Sequence, residues 1–191
     1  MGRSKKILVT GSNGFVGRAL YDELRTLGYD LVGSVRNVSR VVADQTNVVV
    51  GPLQKETDWE SALSGCTTVI HLAGRAHILN DKARDPTSDF RRVNTEGTLN
   101  LAKQAAREGV KRFIFVSSIG VNGSRTGEVP ITASSEVKPH SPYAVSKLDA
   151  EIGLRQIACK SNMEVVIVRS PAIYGKDAPG NFGLIESSVL L

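Results

Sequence analysis

A glycine-rich turn near the N-terminus most constrains what this chain can fold into. It spans Thr10–Gly17, directly after the apolar run Ile7–Val9 and directly before a helical pattern. A strand, a glycine turn and a helix in this order build an anion site from backbone N–H groups and a helix N-terminus. Gly11 suits the tight turn, Gly14 lets the backbone approach a pyrophosphate, and Gly17 lets the helix lie close to the strand. The turn lacks the Gly-Lys-Ser/Thr ending of triphosphate-binding loops, which argues against a kinase or a GTPase.

The composition is that of an ordinary soluble globular domain. Of the 191 residues, 41% are hydrophobic and 23% are charged, and one domain of this length can bury a full core. The net charge of +5 is spread along the chain. Its densest basic cluster, residues 3–6, precedes the first predicted strand and is interpreted as a solvated segment. We therefore expect no nucleic-acid partner.

Cysteine use and hydropathy predict the compartment. The two cysteines, Cys66 and Cys159, have no metal-type spacing, so we expect neither a disulfide scaffold nor a metal site. No apolar run approaches the roughly 18 residues of a membrane helix, and no signal-type apolar segment precedes the glycine turn. These features predict a cytoplasmic protein without a membrane partner.

Short apolar runs alternate with helical patterns along the chain. The runs are rich in β-branched residues, as in strands buried on both faces of a parallel sheet. The predicted strands are Lys6–Thr10, Leu31–Val35, Val48–Val50, Val69–Ala73, Arg112–Ser117 and Val165–Arg169. The predicted helices are Val16–Leu27, Asp58–Ser64, Phe90–Glu108 and Pro142–Lys160, the last capped by Ser141. The alternation predicts an α/β fold, a doubly wound parallel sheet of the Rossmann type with right-handed crossovers.

A second group of polar residues falls where ligands bind in open parallel sheets. Ser117 and Ser118 follow the apolar part of the fifth predicted strand. Tyr143 and Lys147 lie four residues apart, hence on one face of the next helix. A free phenol ionises near pH 10, and a neighbouring ammonium is expected to lower that pKa. The pattern predicts a proton-transfer site, in which a serine hydroxyl holds a substrate oxygen while Tyr143 takes or gives its proton.

The three histidines are less informative. His71 lies in the fourth predicted strand and is interpreted as a hydrogen-bonded core residue rather than a catalytic base. His77 and His140 lie in predicted loops and are assigned no role. Arg84 and Arg91 can contact an anionic substrate, although solvated helix charges are the simpler interpretation.

Taken together, these motifs resemble the extended short-chain dehydrogenase/reductase superfamily, in particular its NAD-dependent epimerase/dehydratase family, which acts on nucleotide sugars. The matching stretches are Thr10–Gly17, His71–Gly74, Val93–Thr98, Phe113–Ser118, Pro142–Lys147 and Arg169–Gly175. The set is more specific for the superfamily than for sugar substrates. The resemblance implies a dinucleotide-binding Rossmann domain over residues 1–175 and the start of an incomplete substrate-binding region over residues 176–191.

The resemblance also implies roles for individual residues. Ser118, Tyr143 and Lys147 are the implied catalytic trio, with Ser118 preferred to Ser117 for its spacing from the tyrosine. Asn94 is implied to support the sheet or the site. The residues implied to bind the cofactor are Gly11, Asn13, Gly14, Phe15, Val16, Gly17, Arg36, Leu53, Leu72, Ala73, Gly74, Ser117, Tyr143, Lys147, Pro171 and Ile173.

The end of the second predicted strand bears on the choice of cofactor. NAD enzymes with this fold usually place Asp or Glu there, because a carboxylate accepts the ribose hydroxyls. Here the strand is followed by Arg36 and no acid. Arg36, helped by Ser34 and Arg40, can pair with a 2′-phosphate through charge-assisted hydrogen bonds. We expect NADP or NAD, with NADP favoured; an Arg36 that only stacks on adenine leaves the choice open.

The resemblance implies an NAD(P)-dependent nucleotide-sugar epimerase or reductase, similar to UDP-glucose 4-epimerase, that uses a UDP-hexose in polysaccharide biosynthesis. Two alternatives stay open: an NADPH-dependent reductase of a non-sugar carbonyl, and a dinucleotide-binding module without turnover. A homodimer through the fourth and fifth crossover helices is also implied. The chain ends on the apolar run Val189–Leu191, which indicates either a chain that is cut short or an apolar end packed into the core.

Overall fold

A parallel sheet forms the centre of the structure, a computed structural model that describes residues 5–76, 85–125, 127–175 and 178. Within these residues the sheet has six strands, in the spatial order β3-β2-β1-β4-β5-β6. The strands are β1 Lys6–Thr10, β2 Leu31–Val35, β3 Asn47–Val49, β4 Cys66–His71, β5 Arg112–Ser118 and β6 Glu164–Ser170. Every neighbouring pair is parallel. The predicted doubly wound α/β fold is confirmed.

Helices connect the strands. They are α1 Phe15–Thr26, α2 Glu60–Leu63, α3 Pro86–Phe90, α4 Thr98–Arg107 and α5 Pro142–Cys159. A π-helical segment, Arg91–Gly97, joins α3 to α4, and short 3₁₀ turns occupy Val38–Arg40 and Ile119–Val121. Apart from Ala178, the predicted start of a substrate-binding region at 176–191 lies outside the described residues, as do His77 and Arg84.

Apolar side chains cover both faces of the sheet. One face packs against α2, α4 and α5 through Leu8, Val32, Trp59, Leu63, Val69, Leu101, Phe113, Phe115 and Leu154. The other face packs against α1 through Ile7, Val9, Tyr21, Leu31 and Ile70. Because both faces are covered, a ligand approaches the sheet at the carboxyl ends of its strands.

The predicted bounds are right for β1 and β2 and wrong by one to three residues for the next two strands. β3 is Asn47–Val49 instead of Val48–Val50, because the ladder with β2 begins where Asn47 pairs with Gly33. β4 is Cys66–His71 instead of Val69–Ala73, since its cysteine and threonines already pair with β1. Beyond His71 the chain leaves the sheet toward the glycine turn.

The last two strands are longer than predicted because they pair with each other to both ends. Arg112 pairs with Glu164 at one end, and Ser118 pairs with Ser170 at the other. Predicted strand Arg112–Ser117 therefore gains Ser118, so both serines of the predicted site belong to β5.

The long helix after β4 begins earlier than predicted. The expected range was Phe90–Glu108, whereas α3 begins at Pro86 with Asp85 as its cap. The Asp85 carboxylate accepts the Ser88 N–H over 3.1 Å. Asp85 followed by Pro86 is a typical signal for a helix start, and the predicted bounds did not include it.

Helix α5 agrees closely with its prediction. It begins at Pro142, and the Ser141 hydroxyl accepts the Ala144 N–H over 3.2 Å, as the predicted cap requires. Helices α1 and α2 begin and end within two residues of the expected positions. The helix that carries Tyr143 is therefore anchored just before that residue.

Other sequence expectations concern membranes, metals and cysteines. No helix in the described part of the chain is long and apolar enough to cross a membrane. The described residues hold no cluster of three or more His, Cys, Asp or Glu side chains that could bind a metal. Both cysteines are free, and burial raises the pKa of the Cys66 thiol to about 11. A cytoplasmic location and the absence of a nucleic-acid partner stay predictions.

His71 is a buried core residue, as predicted. Its Nδ1 lies 2.6 Å from the Thr10 hydroxyl and its Nε2 lies 2.9 Å from the Thr98 hydroxyl. The imidazole is fully buried, and burial, with a smaller effect of the Lys147 charge, lowers its pKa to about 3. The ring therefore joins β1, β4 and α4 in its neutral form.

We expect acid to destabilise the fold through His71. The ordinary pKa of the imidazole is 6.5, and in the folded chain it is about 3. Between these two pH values the imidazole binds a proton in the unfolded chain and stays neutral in the folded chain. The free energy of unfolding should fall by about 1.4 kcal/mol per pH unit from this group as the pH drops below 6.5. Urea unfolding at a series of pH values measures the slope. His71→Gln should reduce it and His140→Gln, at an exposed site, should not; equal slopes in both variants contradict the assignment.

Candidate active site

The glycine turn joins β1 to α1 at the carboxyl edge of the sheet. Gly11 has φ = +69°, a conformation that favours glycine, and its carbonyl accepts the Gly14 N–H over 2.9 Å. Gly14 is the exposed N-cap of α1, and the first turn of α1 contains no acidic residue. The positive end of the α1 dipole is therefore not neutralised by an acid of its own first turn and suits an anion.

Close backbone packing requires glycine at two places in the turn. A Cβ on Gly17 would overlap the Gly11 carbonyl oxygen and lie 2.9 Å from the Ser12 Cα. A Cβ on Gly11 would lie 3.0 Å from the Ala73 nitrogen, in the segment that follows β4. These contacts form a backbone cradle, which a side chain at either glycine would force apart. A cradle of bare backbone at a helix N-terminus is the kind of site that fits a dinucleotide pyrophosphate.

The segment after β4 is fixed by Asn94 from the π-helical segment. The Asn94 side chain accepts the Arg75 N–H over 2.8 Å and donates to the Arg75 carbonyl over 3.0 Å. It also donates to the Ser146 hydroxyl of α5 over 3.1 Å. A Cβ on Gly74 would lie 3.0 Å from Asn94 Oδ1 and 3.6 Å from Lys147 Nζ. The segment predicted to bind cofactor therefore lies beside the predicted catalytic lysine.

Helix α5 brings Tyr143 and Lys147 close to each other beside the end of β5. Lys147 Nζ donates to the Val116 carbonyl over 3.0 Å and lies 4.6 Å from the centroid of the Phe115 ring. The ammonium lies 5.9 Å from the centroid of the Tyr143 ring. Phe90 meets that ring edge to face, with the two centroids 5.9 Å apart. The structure thus brings together the tyrosine and the lysine whose spacing suggested a shared helix face.

Ser118 lies near the first turn of α5. Its hydroxyl accepts the Gly120 N–H over 3.1 Å. A Cβ on Gly120 would lie 3.3 Å from Ser118 Oγ and 3.7 Å from the Ala144 Cβ. It would also lie 3.8 Å from His140 Cε1, so this histidine, to which the sequence assigned no role, lies beside Gly120. Ser118 therefore lies close to the turn that carries Tyr143.

The pKa of the phenol differs from the expectation. Burial raises the pKa of Tyr143, whereas the sequence analysis predicted that Lys147 would lower it. That prediction is wrong for the chain alone, because the cost of placing a phenolate in the buried site outweighs any stabilisation by the ammonium. Burial also lowers the pKa of the Lys147 ammonium to about 8, and the Glu151 carboxylate opposes that fall. Near pH 7 the lysine is mostly charged and the tyrosine is neutral.

Glu151 was not among the predicted site residues. This residue of α5 is fully buried, and its Oε1 accepts the Ser117 hydroxyl over 2.6 Å. The contact of Ser117 with cofactor stays a prediction. The available signal was an acid four residues after Lys147 on the same helix face.

Other predicted cofactor residues lie around the glycine turn. Arg36 follows β2 and is exposed. The Asn13 side chain donates to the Arg40 carbonyl over 3.1 Å, which ties the turn to the loop after β2. Leu53, in contrast, is buried in the core, and a Cβ on Gly97 would lie 2.7 Å from Leu53 Cγ. Its contact with cofactor stays a prediction.

The segment after β6 approaches the start of α1. A Cβ on Gly175 would lie 3.8 Å from Phe15 Cζ. Pro171 and Ile173 are exposed in this segment, which follows the carboxyl end of β6. The partly buried members of the predicted set are Gly11, Asn13, Phe15, Val16, Leu72, Ala73 and Tyr143. The contacts of these residues with a cofactor also stay predictions.

Comparison with known protein families agrees with this geometry. Residues 7–189 match the family described as the NAD dependent epimerase/dehydratase family. The chain belongs to that family. The UDP-glucose 4-epimerase of Vibrio cholerae is 43% identical to this family member over 182 residues, which make up 93% of this chain and 55% of the relative.

Solved structures place the chain in the same epimerase/dehydratase family fold. A short-chain dehydrogenase/reductase superfamily protein from Agrobacterium tumefaciens, with bound NAD, is 35% identical with a TM-score of 0.74, over 86% of this chain and 48% of that one. The UDP-glucose 4-epimerase of Thermus thermophilus, in complex with NAD, is 27% identical with a TM-score of 0.80, over 95% of this chain and 60% of that one. This family member spans about half the length of the relatives it matches.

Proposed function

We propose that this family member is an NAD(P)-dependent enzyme that epimerises or reduces a nucleotide sugar, with a UDP-hexose as the favoured substrate. The observation that carries the proposal is the position of Lys147, which lies beside Gly74, in the segment that packs on the glycine turn, and 5.9 Å from the centroid of the Tyr143 ring. The identity to the Vibrio cholerae UDP-glucose 4-epimerase supports a sugar substrate. A function in polysaccharide biosynthesis belongs to the same proposal.

The cradle around the glycine turn holds the cofactor in this proposal. Residues Gly11–Gly17 bind the pyrophosphate at the N-terminus of α1, and Leu72–Gly74 line the neighbouring side. Pro171 and Ile173 border the nicotinamide. When bound, the nicotinamide supplies a hydride acceptor and donor, and the protein contributes orientation and proton movement.

Three side chains divide the proton chemistry. The Tyr143 phenol exchanges a proton with the sugar hydroxyl whose carbon is oxidised or reduced. The Ser118 hydroxyl donates a hydrogen bond to the same oxygen and fixes its position. Lys147 places its ammonium beside Gly74 and 5.9 Å from the centroid of the Tyr143 ring, where it reaches the ribose of the nicotinamide. The pKa of the lysine, lowered by burial to about 8, leaves that charge in place near neutral pH.

We further propose that NADP binds more tightly than NAD. The loop after β2 presents the exposed Arg36, and no acid stands at the end of that strand. The Asn13–Arg40 hydrogen bond ties this loop to the glycine turn, which supports a position of Arg36 near the adenosine of the cofactor. A guanidinium there pairs with a 2′-phosphate, whereas a carboxylate would repel it.

NADP should therefore stabilise the protein against heat more than NAD does at equal concentration, since tighter binding gives the larger shift. Arg36→Ala should weaken NADP binding about tenfold or more, the loss expected for one charge-assisted pair, and leave NAD binding nearly unchanged. Thermal unfolding with each nucleotide measures both effects. Arg92→Ala, which removes an exposed arginine of the π-helical segment, is the control. Equal shifts by the two nucleotides, unchanged in Arg36→Ala, contradict the preference.

The proposed activity is tested with a panel of UDP- and dTDP-sugars, each supplied with NAD, NADP or their reduced forms. An epimerase consumes no net cofactor, whereas a reductase consumes one reduced cofactor per product, so product analysis and cofactor oxidation separate the two. Turnover of a UDP-sugar supports the proposal. Dinucleotide binding without turnover of any sugar contradicts the proposal and leaves the two alternatives, the binding module and the reductase of a non-sugar carbonyl.

A further inference from the structure

An ionic cluster surrounds the buried carboxylate of Glu151, one helical turn after Lys147 on α5. It consists of Ser117, Glu151, Arg155 and Arg169, and we refer to it as the Glu151 cluster. Arg169 donates to both carboxylate oxygens of Glu151, through Nε over 3.0 Å and through Nη2 over 2.7 Å. Arg155 donates to Oε2 over 3.1 Å, and Ser117 donates to Oε1 over 2.6 Å. The carboxylate is fully buried, so four hydrogen bonds replace the water that it loses.

The Glu151 cluster joins three elements at the edge that forms the site. Glu151 belongs to α5, Ser117 to β5 and Arg169 to β6. Arg169 also donates to Asn122 Oδ1 over 3.2 Å, in the segment that follows β5. The Ser170 hydroxyl donates to the Ser117 carbonyl over 3.3 Å and tightens the same edge. The strand end that carries Ser118 is thus bound to the helix that carries Tyr143.

Lys147 and the Glu151 cluster engage neighbouring residues of β5. Lys147 donates to the carbonyl of Val116, and the next residue, Ser117, donates to Glu151. Lys147 and Glu151 are four residues apart on α5, so they lie on the same helix face one turn from each other. The amine and the carboxylate are both buried. The two groups therefore act on one short stretch of the strand from one face of the helix.

We propose that Glu151 is a positioning residue for the proton-transfer site: it holds the end of β5 against α5 and supplies the buried negative charge that faces the Lys147 ammonium. This inference rests on the proposed function, because it assigns a second role behind the same site. Removing the carboxylate should change the pKa of Lys147 and also the free energy of unfolding of the protein.

The charged and titratable groups around Lys147 determine the direction of this effect. From α5 they are Tyr143, Glu151 and Arg155, from β4 the neutral His71, and from β6 Arg169, whose guanidinium pairs with Glu151. β5 contributes the Phe115 ring and a carbonyl, which carry no charge. Burial lowers the pKa of the ammonium to about 8, and the Glu151 carboxylate raises it against that effect. Without the carboxylate, the pKa of Lys147 falls further and the charge is lost at a lower pH.

The test is the pKa of the Lys147 amine in Glu151→Gln, measured by NMR of protein labelled at its lysine side chains, with Lys147→Met to assign the signal. We expect the pKa to fall by about 1 or more, the change produced by removing one close charge. In the holoenzyme, the alkaline limb of the pH profile of kcat/KM should move to lower pH by the same amount. The NMR measurement does not need turnover, so a failure of the proposed function leaves this inference testable.

Two further variants keep the outcomes distinct. Glu164→Gln removes a carboxylate from the exposed ion pair with Arg112 and should leave the Lys147 pKa unchanged. If Glu151→Gln does not fold, Glu151→Gln combined with Arg169→Gln removes both buried charges together and avoids an unpaired guanidinium. Compared with Arg169→Gln alone, the double variant differs only in the Glu151 carboxylate, so its Lys147 pKa should be lower than that of Arg169→Gln by the same amount. A Lys147 pKa that stays at its wild-type value in the folded variant, with only a loss of stability, overturns the proposal.

Discussion

Replacing Tyr143 by phenylalanine should lower kcat for a UDP-sugar by about 10²–10⁴-fold, the usual contribution of a positioned proton donor or acceptor. The ring should keep its edge-to-face contact with Phe90, because the substitution removes only the hydroxyl. Cofactor binding should change little, since most of the proposed cofactor contacts lie in the glycine turn and in the segment after β4. Steady-state kinetics together with a dinucleotide titration by thermal unfolding measures the two effects separately.

The matched control is Tyr29→Phe, which removes a phenol from a half-exposed tyrosine beyond the end of α1. Its kcat should equal that of the wild-type protein. If Tyr143→Phe keeps turnover within a few-fold of wild type, the phenol does not move the proton and the assignment fails. A variant that loses dinucleotide binding as well as turnover indicates a structural role for the hydroxyl instead.

Gly17→Ala should damage both the fold and the cofactor site. The new methyl group would overlap the Gly11 carbonyl oxygen and press on the Ser12 Cα, both of which are backbone atoms that cannot rotate away. The turn must open or α1 must move from the sheet, and overpacking of this kind costs about 1–3 kcal/mol of the free energy of unfolding. Since the same turn forms the anion cradle, stabilisation by NAD or NADP should be lost.

Gly127→Ala is the matched control for that substitution. A Cβ on Gly127 meets no atom within 4 Å, so the added methyl should leave unfolding and dinucleotide binding unchanged. Urea denaturation and thermal unfolding with and without cofactor apply to both variants. Wild-type stability and cofactor response in Gly17→Ala would mean that the close approach of α1 to the turn is not required.

Local sequence signals predicted much of the fold. The β1 strand, the glycine turn and the Ser141 cap of α5 each rest on neighbouring residues, and each was placed correctly. The four-residue spacing of Tyr143 and Lys147 was enough to put both on one helix face. Errors arose where long-range pairing decides the bounds: β4 begins at Cys66 because it pairs with β1, and no local pattern contains that information.

The site departs from its prediction where tertiary burial decides the chemistry. The pKa of Tyr143 is raised because the phenol is buried, a property that the spacing to Lys147 does not reveal. Glu151 was overlooked since its partners come from β5 and β6, and Ser117 and Arg169 lie 34 and 18 residues away in the sequence. Hydrogen bonds between elements of this kind become visible only in the folded chain.

The most direct test of the account is a crystal structure of the protein with a nicotinamide dinucleotide and a UDP-sugar. The account predicts the Tyr143 phenol oxygen within about 2.6–3.2 Å of a sugar hydroxyl that adjoins the nicotinamide, with the Lys147 ammonium on the cofactor side of the same crevice. A dinucleotide bound away from the glycine turn, or a phenol directed away from the sugar with the ammonium on the far side of α5, would contradict it.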